Sequence, residues 1–171
     1  MAGVEGRVAL ITGAGRGIGR AAAETLASRG ARVMCVARSE RELADTGLDY
    51  SVADLGTVEG CEHAVADAER RLGPIEILIC NHGLGSAHER VIWEQGPEVW
   101  DEMMRINLDG PYHLSRLVLP QMIERGYGRV VYTSSTAGLV AEYAGSAYSS
   151  SKSGLLGLMR SVAQDAGPHG V

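Results

Sequence analysis

A tyrosine and a lysine stand four residues apart in Tyr148-Ser149-Ser150-Ser151-Lys152. The other fifteen of the sixteen basic residues are arginine. Arginine therefore serves wherever a generic cation is enough, and position 152 is marked for a task that a broad planar guanidinium does not perform. On a helix, residues i and i+4 stack one turn apart on the same face, which brings an ammonium close to a phenol. A free phenol titrates near ~10, and neighbouring cations favour its anionic form, so such a pair can give and take a proton. A solvent-facing pair on a helix has the same spacing, and the rest of the chain must distinguish the two.

A second cluster lies near the N-terminus. The apolar run 7–12 enters Thr12-Gly13-Ala14-Gly15-Arg16-Gly17-Ile18-Gly19, and small and apolar residues (Ile18, Ala21, Ala22, Leu26) then recur at helical spacing. The glycines follow T-G-x-x-x-G-x-G rather than G-x-G-x-x-G. Glycines let a backbone approach a pyrophosphate, and a helix N-terminus offers it free N–H groups and a favourable dipole. Strand, loop, helix and second strand in this order predict dinucleotide binding. An NAD site carries a carboxylate at the end of the second strand for the ribose 2′-hydroxyl, but here Ala37 and Arg38 stand there. Arg38, with Arg16 in the loop, suits a 2′-phosphate, so NADP(H) is expected over NAD(H). In an arginine-rich chain a solvated surface role for both remains the alternative.

With both motifs in view the chain resembles the short-chain dehydrogenase/reductase family, in the single-domain branch that includes 3-oxoacyl-carrier-protein reductases. Thr12, Gly13, Gly17 and Gly19 match its cofactor loop, Asp54-Leu55 its adenine-contacting pair, and Asn81-His82-Gly83 its Asn-Ala-Gly, with His82 a departure. Asn107 matches the family's active-site asparagine. Ser135, thirteen residues before Tyr148, matches the catalytic serine better than the neighbouring hydroxyls Ser134 and Thr136. Tyr143 is no rival to Tyr148, since Ala147 follows it at the position a lysine would need.

The resemblance implies an oxidoreductase that reduces a ketone or 3-oxoacyl group, or oxidises the alcohol, by hydride transfer. Tyr148 would be the acid or base. Lys152 would assist it and hold the nicotinamide ribose, Ser135 would steady the substrate oxygen, and Asn107 would hold a water that relays protons. The implied cofactor contacts are Thr12, Gly13, Arg16, Gly17, Ile18, Gly19, Arg38, Asp54, Leu55, Asn81, Gly83, Tyr148 and Lys152. A homo-oligomer, dimer or tetramer, is also implied, with Gly154 and Gly157 suited to close helix contact.

The elements that must position these groups follow from periodicity. Strands are expected at 7–12, 32–36, 50–53, 75–80 and 129–133. Helices are expected at 17–29, 39–44 (short), 57–72, 97–125 and 147–164, the fourth bent or broken at Gly110-Pro111. This alternation predicts an α/β fold, a three-layer doubly wound parallel sheet of Rossmann type, in a single domain over 1–171. The 171 residues, 45% apolar and 22% charged, suffice for one core. A net charge of −5 argues against nucleic acid or an anionic membrane as partner, and the start of the chain lacks a signal-peptide layout. Cys35, Cys61 and Cys80, odd in number and widely spaced, read as reduced packing residues of a cytoplasmic protein. The histidines have no ligand spacing, so no metal is expected.

Members of the family continue beyond the equivalent of Val171 with further strands and a substrate loop. The chain is therefore expected to be truncated after its fifth strand and following helix, with that strand an open edge. The competing reading is a truncated, non-catalytic dinucleotide-binding protein or fragment. A small carbonyl or alcohol substrate is expected, but the composition of 84–95 does not identify it.

Overall fold

A computed structural model describes residues 3–87 and 90–171. Five strands, β1 (Val8–Thr12), β2 (Arg32–Ala37), β3 (Asp49–Val52), β4 (Ile77–Cys80) and β5 (Arg129–Tyr132), form one sheet in the order β3-β2-β1-β4-β5. Every pairing is parallel. The strand order reverses direction at β1, between β2 and β4, and the crevice beyond the strand C-termini at such a point is where ligands bind in open α/β sheets. The central strands β1, β2 and β4 are short and apolar because both faces of the sheet are covered there.

Alternation along β1 divides the core. Val8 and Leu10, with Met34, Val36, Leu78 and Cys80, pack against α3 (Val58–Leu72) and α5 (Gly110–Glu124) through Ala64, Ala68, Leu114, Val118 and Met122. Ala9 and Ile11, with Val33, Cys35 and Ile77, face α1 (Gly17–Ser28) and α2 (Glu40–Ala44) through Ala23 and Leu43. Burying a side chain such as Leu10 or Leu78, each fully inaccessible, contributes about 1.5–3 kcal/mol. The three cysteines are free and buried. Burial pushes the Cys35 thiol up to about 11 and the Cys61 thiol up to about 12, which fits inert packing residues.

The expected three-layer α/β architecture is present, and α3 begins as expected, with the Thr57 hydroxyl accepting from the Gly60 N–H. Several element boundaries shift by one or two residues, and β4 and the helical segment after Gly96 are among those that differ. β4 starts at Ile77 rather than 75, although the Glu76 backbone already bonds to Val8 on one side and Arg129 on the other. The helical segment after Gly96 is in two α-helical pieces, as expected, and the interruption before Gly110-Pro111 is a π-helical turn rather than a break. It runs as α4 (Pro97–Met104), a π-helical turn (Arg105–Asp109) and then α5. Pro111 sits in the first turn of α5, where its missing N–H costs little. The distortion falls on the preceding turn, and Asn107 lies within it.

α6 (Ser146–Ala166) carries Tyr148 and Lys152 and packs on α4 and the π turn. Gly154 makes this approach possible, because a Cβ there would lie 2.9 Å from Leu108 Cδ2. At Gly157 a Cβ would meet nothing within 4 Å. β5 is the sheet edge, with Val131 48% exposed. Among the described residues no helix is long and apolar enough to cross a membrane, and no group of three or more His, Cys, Asp or Glu side chains is placed to hold a metal.

Candidate active site

A cleft of about 700 Å³ opens over the C-terminal ends of β1, β2 and β4. Its floor is the glycine loop. Gly13 has φ +64°, a conformation that favours glycine, and a Cβ there would meet the His82 backbone at 2.9 Å. Gly19 lets α1 rest on the loop, since a Cβ would lie 2.3 Å from the Gly13 carbonyl oxygen. No side chain caps α1, so the N–H groups of its first turn are left for a ligand. Open N–H groups, a helix dipole and glycine-limited approach fit a pyrophosphate. Gly13, Arg16, Gly17 and Ile18 line the cleft, whereas Thr12 and Gly19 are buried behind it and act by packing and hydrogen bonding.

Thr12 is a structural hub. Its hydroxyl oxygen accepts from the N–H groups of Asn81 at 2.9 Å and His82 at 3.2 Å, lies 2.7 Å from His82 Nδ1, and is 3.2 Å from the Ile79 carbonyl. Asn81 extends the link sideways, donating from Nδ2 to the Gly13 carbonyl at 3.4 Å and accepting from the Thr133 hydroxyl at 3.2 Å. One network thus ties the ends of β1, β4 and β5 together under the cleft.

Lys152 closes that network. It is 5% exposed, and its ammonium donates to the Thr133 carbonyl at 3.0 Å. This is its one hydrogen bond among the described residues. It lies 5.8 Å from the centroid of the Tyr148 ring, and both side chains line the cleft. Tyr148 and Lys152 therefore border the same crevice as the glycine loop. Burial draws the lysine below its ordinary value of 10.5. Gly83 makes room for it, because a Cβ there would stand 3.5 Å from Nζ and 3.0 Å from Asn107 Oδ1.

Asn107 and Ser135 are placed differently from the cleft-lining pair. The Asn107 side chain is 1% exposed and clamps Leu84. Its Oδ1 accepts from the Leu84 N–H at 2.7 Å, and its Nδ2 donates to the Leu84 carbonyl at 3.0 Å and to Ser151 Oγ at 3.2 Å. The side chain is committed to the protein and fixes the cleft wall at Gly83-Leu84. Ser135 is half-buried beside the cleft at the start of a 3-10 turn (Thr136–Gly138), with its Oγ accepting from the Ala137 N–H at 3.2 Å. Ser134 lines the cleft instead, and its hydroxyl donates to the Lys152 carbonyl at 3.2 Å.

At the far end, Arg38 is exposed, lines the cleft and makes no ion pair among the described residues. Arg16 pairs with Glu42 at 3.6 Å. Asp54 and Leu55 line the same region. Asp54 accepts from the Gly56 N–H at 3.0 Å and lies 3.6 Å from Arg105. Trp93 is 80% exposed, and in the 84–95 segment His88 and Glu89 lie outside the described residues.

Sequence reasoning missed the reach of His82. Its Nδ1 meets Thr12, while Nε2 is buried without a hydrogen-bond partner among the described residues. Burial first, and the Lys152 charge second, lower its pKa to about 4 from an ordinary 6.5. The imidazole therefore stays neutral in the folded protein where the unfolded chain already binds a proton. Stability from this group is present above pH 6.5 and is lost as pH falls towards 4. His82→Ala should remove that component, about 2–3 kcal/mol between pH ~7 and ~4.5. Urea unfolding of both proteins at the two pH values measures it, and parallel losses would refute it.

A family model for short chain dehydrogenases matches residues 7–171, and the chain belongs to that family. It is 32% identical to the 3-oxoacyl-[acyl-carrier-protein] reductase FabG of Escherichia coli over 176 residues, covering 98% of this chain and 70% of the relative. It is 33% identical to the D-beta-hydroxybutyrate dehydrogenase of Cupriavidus necator, covering 68% of that protein. A short-chain dehydrogenase structure from Streptomyces avermitilis superposes with a TM-score of 0.91 at 32% identity, over 96% of this chain and 62% of the other. The chain thus spans less than two thirds of the Streptomyces protein.

Proposed function

We propose that the chain is the cofactor-binding and catalytic part of an NADP(H)-dependent oxidoreductase acting on a ketone or 3-oxoacyl group, or on the corresponding alcohol. The observation that carries this reading is the single cleft that holds both the glycine loop and the Tyr148–Lys152 pair. NADP(H), when bound, supplies or accepts the hydride. Everything else is the work of side chains.

The pyrophosphate would lie on Gly13, Gly17 and Ile18 at the N-terminus of α1, and the adenine end near Asp54-Leu55. Asn81 and Gly83 would hold the chain close to the nicotinamide end, and Thr12 and Gly19 would keep the loop shaped for it. Lys152 would donate its remaining N–H groups to the nicotinamide ribose. Tyr148 would hand its phenolic proton to the substrate oxygen in reduction and take one in oxidation, and the buried ammonium would stabilise negative charge left on the phenol oxygen. Ser135, whose hydroxyl proton has no acceptor among the described residues, would donate to the substrate oxygen as charge builds there. Asn107 would hold the Leu84 wall and the π turn in register with Lys152. A water relaying protons from Lys152 would sit against this turn.

Relatives named as a 3-oxoacyl reductase and a β-hydroxybutyrate dehydrogenase support an oxygen-bearing carbon as the reacting centre. The two arginines at the adenosine end support NADP(H). Exposed Trp100 and Tyr112 on α4 and α5 support a homo-oligomer, and three buried free cysteines support a cytoplasmic setting.

The test is to mix the protein with NADPH and a panel of ketones and 3-oxoacyl thioesters, and to follow loss of the reduced nicotinamide absorbance. Turnover is expected. Tight NADPH binding with no turnover on any member would leave a non-catalytic nucleotide-binding protein. The cofactor choice has its own test: Arg38→Asp should lower NADPH affinity relative to NADH by ~10-fold or more, since it replaces a charge-assisted contact by repulsion. An unchanged ratio in equilibrium titrations would exclude that role for Arg38.

A further inference from the structure

Glu42 has a local reason for its place in the chain, but its carboxylate does not go where that reason would send it. Ser39-Glu40-Arg41-Glu42 is a capping box in sequence, in which the glutamate should reach back to the Ser39 N–H. Half of the box forms, with the Ser39 hydroxyl accepting from the Glu42 N–H at 3.3 Å. The other half does not, for among the described residues the Glu42 carboxylate makes no bond to Ser39. It turns instead to the glycine loop. Its Oε1 is 3.6 Å from Arg16, and a Cβ on Gly15 would lie 2.9 Å from Glu42 Cβ and 3.2 Å from Oε2. Gly15, which the loop motif leaves free to vary, is thus the residue that admits this carboxylate.

Glu42 and both arginines line the same end of the cleft. Arg38 is uncommitted, whereas Arg16 is already paired with an anion. A 2′-phosphate bound there would have to share Arg16 with Glu42 and would be repelled by it. A 2′-hydroxyl suffers neither penalty and can donate a hydrogen bond to the carboxylate.

We propose that Glu42 is a specificity-determining residue that restrains the preference for a 2′-phosphorylated nucleotide, by neutralising Arg16 and by accepting a hydrogen bond from a ribose 2′-hydroxyl. The inference rests on the placement of the adenosine ribose between Arg16 and Arg38, and it deepens that reading. The arginines alone would make a strongly NADP(H)-selective site. Glu42 narrows the gap.

The experiment is equilibrium titration of the unliganded protein with NADPH and with NADH, read by nicotinamide fluorescence, for the native chain, Glu42→Gln and Glu42→Ala. Both variants should raise the NADPH-to-NADH affinity ratio, by roughly fivefold for one charge removed at this range, with NADPH binding tighter and NADH binding unchanged or weaker. A ratio that stays the same or falls in both variants overturns the proposal, as does failure of either nucleotide to bind. If the native chain prefers NADH yet both variants shift towards NADPH, the cofactor reading above fails while the role of Glu42 stands.

Discussion

Tyr148→Phe should lower kcat by about 10²–10⁴-fold while leaving NADPH affinity within about twofold. The substitution deletes one hydroxyl. The ring stays, and so does its packing beside the Lys152 ammonium, so the cleft keeps its shape. On the proposed mechanism, what disappears is the proton that neutralises the substrate oxygen. A loss confined to kcat identifies an interaction that matters in the transition state, whereas a rise in KM alone would mean that the hydroxyl only helps substrate bind. Activity within tenfold of the native protein would remove Tyr148 from the chemistry.

Lys152→Met should separate function from stability. The ammonium is buried, makes one hydrogen bond among the described residues, and is drawn below its ordinary pKa by that burial. A lysine pKa lowered by folding means that the charged form is better accommodated in the unfolded chain. The native protein therefore gains stability as pH rises through the folded-state value towards 10.5, and the methionine variant should lack this gain. Methionine has a similar length and no charge to desolvate, so the variant should be at least as stable near pH ~7, by up to about 1 kcal/mol, although the Thr133 carbonyl loses its donor. Turnover should fall by about 10²-fold or more. A variant that is both active and stable would contradict the proposed role. One that unfolds would show the lysine to be chiefly a structural strut.

Much of this architecture was legible before any coordinates, for local reasons. β1, the glycine loop and α1 form a contiguous stretch whose apolar run, small residues and helical period each depend only on near neighbours. The Tyr148–Lys152 pair is likewise a matter of one helical turn. What stayed hidden depends on contacts distant in sequence. Thr12 reads as a strand end, and its role as a hub emerges only when β4 brings Asn81 and His82 alongside. Asn107 matches an active-site asparagine, yet its hydrogen bonds to Leu84 come from a segment 23 residues away. The expected interruption at Gly110-Pro111 takes the form of a π turn just upstream, because proline is harmless in a first turn. Glu42 was hidden for the opposite reason: a familiar local pattern, the capping box, accounts for its presence and conceals where its carboxylate goes.

The central claim is that one cleft holds the reduced nucleotide and delivers hydride to a carbonyl under Tyr148. It is tested most directly by loading the protein with NADPH deuterated on the transferable position and supplying a ketone that it turns over. The account predicts one deuterium on the carbinol carbon of the product alcohol and none exchanged into water. Product without the label, or bound NADPH that never passes it on to any carbonyl, would contradict it.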